Sequence, residues 1–359
     1  MSTSTILQLE AFAYWRRRLL GSEGSSRLFA IDDAATTRLM EQAVGYVIDG
    51  RQISFFVEAP LAGEPAIDLS AQYFVRDFLD ANPLVGRVVA PQGELFHLYA
   101  VILSKLKPAL LHNCTLYLEA DTSKADVKDI AYFINLAGDY VVMLLPVILT
   151  YQGKYELKSV VARLLEQGGD LCRPWHFGFM DSRESKPLRL VLALTQGIKK
   201  LSVLLERLGT TQLPPAAYTL LKQIEALNGF TFMLDLDVLV DGSLGDTVGV
   251  ELIPRYIAPI VQQDFFAGSQ FTRLCALLSE ARVADERLAA LPEVVFNEEL
   301  KPDRYIYSRL SHFKLRWQQG RALPAKVYLQ MRMDYKQETI NQALGYRYDQ
   351  EMVAGEERL

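Results

Sequence analysis

Hydrophobic and polar positions alternate with a period of two near the end of this chain. His312, Lys314 and Arg316 fall on one side, interleaved by Phe313, Leu315 and Trp317. A few residues on, Lys326, Tyr328, Gln330 and Arg332 oppose Val327, Leu329, Met331 and Met333. Successive side chains of a strand point to opposite faces, so the two segments read as a hairpin with one apolar and one cationic side.

Earlier segments give a series of elements. After an N-terminal helix, Val44 to Ala59 reads as two short strands around Asp49-Gly50-Arg51, since Asp-Gly between apolar segments is a hairpin signature. Helices follow over 68–81 and 94–107. The segment 115–121 alternates Thr115, Tyr117, Glu119 and Asp121 with Leu116, Leu118 and Ala120, as a strand does. Ser123 then caps a helix over 124–136. The apolar run from Tyr140 to Leu149 reads equally as a buried strand or a buried helix.

The middle of the chain is a helix over 157–167, strands over 175–180 and 188–195 around a polar loop at 181–186, and helices over 198–208 and 215–227. Asn228-Gly229 ends the last of these as a left-handed cap. Strands over 230–240 and 247–253 flank the loop Asp241-Gly242-Ser243-Leu244-Gly245-Asp246, rich in residues that accept positive φ. A helix over 270–291 leads to the basic hairpin. The fold class is α+β: repeated hairpin-helix (ββα) units, an antiparallel sheet with helices outside that either stays open or closes into a barrel, over 1–335, with a polar tail at 336–359.

Composition changes this picture little. With 359 residues, half of them hydrophobic, the chain can bury a sizeable core. A net charge of −5 gives no broad attraction to nucleic acid, so an anion site must be a local cluster, as the last hairpin is. Cys114, Cys172 and Cys275 stand far apart in apolar contexts and read as reduced, buried thiols. Trp15-Arg16-Arg17-Arg18 interrupts the N-terminal apolar residues, so no secretory pattern is present, and no run reaches the ~20 residues of a membrane span. Together these give a cytoplasmic protein as the expectation.

Antiparallel strands covered by helices on one face leave the other face free. Its candidate residues are Glu119, Arg189, Asp235, Asp237, Glu251, Arg255, His312, Lys314, Arg316, Lys326, Tyr328, Gln330 and Arg332. In an open sheet they face water; in a closed barrel they converge on a lumen. Cations gather on the last hairpin and carboxylates on the strands of Glu119, Asp235, Asp237 and Glu251, a sorting a merely solvated face would not need.

This arrangement resembles the ABBA prenyltransferases, whose αββα units close into an antiparallel barrel of ten strands around the active site. The resemblance is of architecture over most of the chain, with Lys326-Val327-Tyr328 as the matching K-x-Y strand motif. No second K-x-Y strand aligns, and one repeat, between Thr115 and Tyr151, is irregular. The resemblance implies an isoprenoid diphosphate as donor and an aromatic or peptide acceptor. Lys314, Arg316, Lys326, Gln330 and Arg332 would grip the diphosphate, with Arg189 and Arg255 as further cations. Tyr328 would hydrogen-bond a phosphate oxygen or shield the allylic cation. Glu119 would serve the acceptor, with Glu251 as second choice. By its position on the cationic face, His312 reads as a proton carrier or, as is commoner for a lone histidine at a strand start, as a structural hydrogen-bonding group.

Other motifs add less. Asp235-Leu236-Asp237 places two carboxylates on one side of a strand and could bind Mg2+, although salt-bridged carboxylates fit such a common pattern better. No other cofactor is implied. His97, His112, His176 and His312 show no zinc spacing, and G-x-S-x-G, Walker A and Rossmann fingerprints are missing. Gly178 reads as a packing or bulge glycine. Two other functions use the same hairpin: a non-catalytic module binding a peptide or carrier protein, and a peptide-tailoring enzyme of different chemistry. A closed lumen holding both the hairpin cations and Glu119 favours catalysis; an open groove favours peptide binding.

Overall fold

A computed structural model describes residues 10, 13–15, 17, 54–64, 67–74, 115–121, 131–135, 139–181, 183–255, 259–301 and 304–334. The strands are β1 (Ser54–Pro60), β2 (Asp68–Phe74), β3 (Thr115–Asp121), β4 (Ala131–Asn135), β5 (Cys172–Phe179), β6 (Leu188–Leu194), β7 (Phe230–Val238), β8 (Leu244–Pro254), β9 (Phe296–Lys301), β10 (Arg304–Gln318) and β11 (Arg321–Asp334). The helices are α1 (Asp139–Tyr151), α2 (Leu157–Gly168), α3 (Leu201–Leu208), α4 (Pro215–Glu225), α5 (Pro259–Ala267), α6 (Ser269–Glu280) and α7 (Leu291–Val294).

Strands β1 to β8 pair in sequence order, β8 pairs with β10, β10 with β11, and β11 returns to β1, every pair antiparallel. The result is a closed ten-stranded barrel, as the resemblance implies and as the alternation alone left open. The eleventh described strand, β9, lies outside the ring on the first part of β10.

The main core lies between the barrel's outer face and the helices. Each helix turns one stripe to the sheet: Leu157, Val161 and Leu164 on α2, Leu201, Leu204, Leu205 and Leu208 on α3, Phe271, Leu274, Leu277 and Leu278 on α6. They meet Leu234, Val250, Leu252, Phe313, Leu315, Val327 and Leu329, all buried. Burying each such side chain contributes ~1.5–3 kcal/mol before conformational entropy is counted. The alternation that places these residues outside places their polar neighbours inside.

β10 changes neighbours along one edge, from β9 (up to Ser308) to β8 (from Phe313), and bulges between Leu310 and His312. The side-chain amide of Gln262 on α5 fills the gap. Its Oε1 accepts from the Leu310 N–H at 2.8 Å and its Nε2 donates to the Leu310 carbonyl at 2.7 Å. A buried backbone deprived of a strand partner is thereby satisfied. The bulge also turns Arg309 and His312 to the same inner face.

Several elements differ from the sequence reading. Residues 68–74 form a strand, not a helix, and 131–135 form a strand inside the expected helix over 124–136. Ala71 and Gln72 favour helices intrinsically, but Asp68, Ser70 and Gln72 also alternate with Leu69, Ala71 and Tyr73, and pairing to β1 and β3 decides the outcome. β1 takes β2 and β11 as partners along its two edges. The ambiguous run over 140–149 is helix α1, with Val141, Leu144, Leu145, Ile148 and Leu149 buried. The helix expected over 270–291 ends at Glu280; Arg282 turns at φ 58°, and a 3-10 turn capped by Asp285 follows.

Other expectations hold. Asn228 carries the left-handed cap at φ 54°, and Gly242 the loop turn at φ 82°. Cys172 is buried and Cys275 half-buried, both free. The first strand of the Val44 hairpin, the helices over 94–107 and 124–130, Cys114, His97, His112 and the tail from 336 lie outside the described residues. Among the described residues no helix is long and apolar enough to cross a membrane.

Candidate functional site

The inner faces of the strands line a cavity of about 330 Å³, within the ~300–1,000 Å³ usual for small-molecule sites. Glu58, Asp68, Glu119, Arg183, Arg189, Asp235, Asp237, Lys314, Arg316, Lys326 and Tyr328 line it, with Thr247, Gly249, Gln318 and Leu323. Six residues that the sequence singles out for roles in donor or acceptor binding therefore meet in one space: Glu119, Arg189, Lys314, Arg316, Lys326 and Tyr328.

The register explains the meeting. Lys314 stands opposite Lys326 on β11 and opposite Glu251 on β8, and Arg316 opposite Leu323 and Gly249. Closure of the barrel brings Glu58 beside Tyr328. The charge sorting expected from sequence gives way to ion pairs. Lys326 contacts Glu58, and Lys314 contacts Asp235 with Glu251 at 3.6 Å. Arg189 donates two bonds to Asp237, at 2.9 and 3.1 Å, and Arg183 a third at 3.1 Å. Arg316 makes no ion pair among the described residues, and its Nε is buried without a hydrogen-bond partner.

Burial sets the protonation of the deeper groups. It lowers Lys326 to about 8 and Lys314 well below the ordinary lysine value, and lifts Glu251 to about 7 against the opposing pull of Arg189. For Arg189 burial works against the charge, but Asp237 outweighs it and raises the guanidinium above its usual value. For Asp237 burial is likewise outweighed, by Arg189 and Arg183, which hold the carboxyl low.

His312 stacks on Tyr328 with ring centroids 4.0 Å apart, and burial lowers its imidazole to about 3. It is thus neutral at neutral pH, and its 3.9 Å approach to Glu251 is no ion pair there. A neutral imidazole of such low basicity holds a proton poorly at neutral pH, which weighs against the proton-carrier role expected of His312. Burial, then the charges of Lys314, His312 and Arg189, lower His176 similarly.

Three expected binding residues stand elsewhere. Arg255 is exposed just past the end of β8, its Nε donating to the Phe230 carbonyl at 3.4 Å. The inward alternation stops with its strand, so it does not line the cavity. Gln330 lies farther along the lumen, where it accepts from Arg309 and donates to Gln72, which donates to Tyr117. Arg332 is two residues beyond. Alternation alone could not separate Gln330 and Arg332 from Lys326, because both share its face.

Sequence reasoning missed Glu58, Asp68 and Arg183. Glu58 alternates with Val57 and Ala59 and could have been found from β1's own pattern. Asp68 was hidden by the helical reading of its segment, and Arg183 reaches in from a loop, where no periodicity marks it. Asp235 and Asp237 are salt-bridged, as their pattern suggests. Among the described residues no group of three or more His, Cys, Asp or Glu side chains is placed to hold a metal ion. Gly178 is a packing glycine: a Cβ there would lie 2.4 Å from the Phe133 ring.

No sequence family matches the chain, and no curated protein does. Solved structures do match. The prenyltransferase PriB in its apo form aligns with a TM-score of 0.54 at 11% identity, over 93% of this chain and 97% of that one. NotF, solved in complex with brevianamide F and DMSPP, aligns with a TM-score of 0.53 at 11% identity, over 92% and 95%. At such identity the likeness is one of fold, and the chain folds as an ABBA prenyltransferase barrel.

Proposed function

We propose that the chain is a prenyltransferase that takes an isoprenoid diphosphate into the lumen and moves its allylic group to an aromatic or peptide acceptor. One observation carries the reading: the barrel is closed around a cavity lined by both the hairpin cations and Glu119. A neighbour in fold, NotF, was solved with DMSPP and brevianamide F, which supports the same pairing of ligands here.

The steps follow from the residues. Ionisation breaks the bond between the allylic carbon and the diphosphate oxygen, and the electron pair leaves with the diphosphate. Fixed cations in a partly enclosed site stabilise that developing charge. Arg316 is the cation best placed to do so, joined by Lys314 and Lys326. The Tyr328 ring, held by His312, stands beside them to face the allylic cation, an interaction of ~0.5–2 kcal/mol. The acceptor's nucleophilic atom forms the new bond to the allylic carbon, and its proton passes to a base, for which Glu119 is the candidate. The diphosphate is the one group that would bring Mg2+, its charge then shared between metal and cations.

The test is incubation with dimethylallyl or geranyl diphosphate and tryptophan- or tyrosine-containing acceptors, with and without Mg2+, read by mass spectrometry. The expected product carries one isoprenyl unit and disappears in Arg316→Ala. No product from any pairing, with no binding of the donor, would refute the reading.

The cavity's charge balance favours a second reading. Glu58, Asp68, Glu119, Asp235 and Asp237 match Arg183, Arg189, Lys314, Arg316 and Lys326, five against five. Such a surface suits a zwitterionic ligand such as a peptide, bound without chemistry. Calorimetric binding of a peptide that is recovered unmodified in the presence of donor would favour it.

A further inference from the structure

Two carboxylates of the cavity stand where the anion of a substrate would have to sit. Glu58 is buried on β1 and contacts the Lys326 ammonium across the seam that closes the barrel. Asp235 is buried on β7 and contacts Lys314 on β10, although β8 lies between their strands. Gly249 of β8 makes that contact possible. A Cβ there would fall 2.7 Å from the Asp235 Cβ and 3.2 Å from the Lys314 Cε, so any larger residue would push the pair apart.

A buried ammonium without a counter-ion gives up its proton, and burial already lowers both lysines here. A partner carboxylate keeps the proton on the lysine while the cavity is empty. The same carboxylate repels an arriving polyanion. Once a phosphate oxygen takes its place on the lysine, it is a buried charge beside like charge, a state that a carboxylate leaves by taking up a proton.

We propose that Glu58 and Asp235 are resident counter-ions of the anion site, exchanged for phosphate oxygens when the ligand enters. By competing for Lys326 and Lys314 they hold the affinity for a bare polyanion down and couple its binding to proton uptake from solvent. They thereby select for ligands of lower net charge. The inference rests on reading the cavity as a diphosphate site.

The test is calorimetric titration of the full chain with inorganic diphosphate, without metal, in two buffers of different ionisation enthalpy. Native chain, Glu58→Gln and Asp235→Asn are compared, with circular dichroism to establish folding. The variants are expected to bind diphosphate about tenfold or more tightly than the native chain, the reverse of what loss of a binding residue gives. The native chain is expected to take up protons on binding. Binding by the native chain without proton uptake overturns the inference, as does unchanged or weaker binding in the folded variants; both leave the diphosphate reading in place. No binding to the native chain or to either variant overturns the diphosphate reading itself.

Discussion

The two ends of the lumen are built from the same strands and differ in chemistry. At one end seven of the ten inward faces carry charge: Glu58 on β1, Asp68 on β2, Glu119 on β3, Arg189 on β6, Asp237 on β7, Arg316 on β10 and Lys326 on β11. Two to seven residues along the same faces stand Phe56, Gln72, Tyr117, Val191, Met233, Arg309 and Gln330. The charged end keeps an open cavity. The other end fills itself with a chain of amide and phenol hydrogen bonds and with the small cluster of Val191, Met233, Ile253 and Trp175. Charges keep solvent and ligand access at one end because burying them unpaired is costly, whereas amides and rings can satisfy one another and pack.

Substitutions at the two ends should therefore separate function from stability. The largest effect is expected for Glu119→Gln: turnover in the donor and acceptor assay falls ~10²–10⁴-fold, while diphosphate affinity by calorimetry does not weaken. Arg316→Ala should lower kcat/KM ~10²–10³-fold by removing a fixed donor to the leaving group, with the midpoint of urea unfolding unmoved. Equal losses from far-end substitutions would erase the contrast.

Glu251 sits between the two ends and tests the electrostatics. Its folded-state carboxyl titrates near 7 against an ordinary 4.5, so the folded chain binds one more proton than the unfolded chain between those values. That contribution is complete below the unfolded value and is lost as pH rises to about 7. Glu251→Gln should not suffer this loss. Its stability relative to the native chain should rise by ~3 kcal/mol between pH 4.5 and 7 and stay level above, as urea titrations at several pH values would read. A pH-independent difference would mean that Glu251 stays ionised throughout.

The smallest effect is expected at the filled end. Gln330→Leu removes the acceptor of the Arg309 Nε–H and the donor to the Gln72 side-chain carbonyl, and should cost ~1–3 kcal/mol in urea unfolding without weakening diphosphate binding. A loss of affinity with unchanged stability would move the anion site to that end.

The sequence by itself determined which side of each clear strand faces inward. The two-residue alternation of β3, β7, β10 and β11 is local, and a single segment shows it. The cationic hairpin and Glu119 were legible for that reason. Short segments such as 68–74 and 131–135 were misread, because intrinsic preference and alternation pull apart there and only pairing along both edges settles the conformation. Which charge meets which was decided by tertiary structure alone. Lys326 and Glu58 are 268 residues apart and become neighbours through barrel closure, while Asp235 and Lys314 meet across a third strand because Gly249 leaves room. Alternation fixes the direction in which a side chain points; register, closure and space between strands distant in sequence fix what it points at.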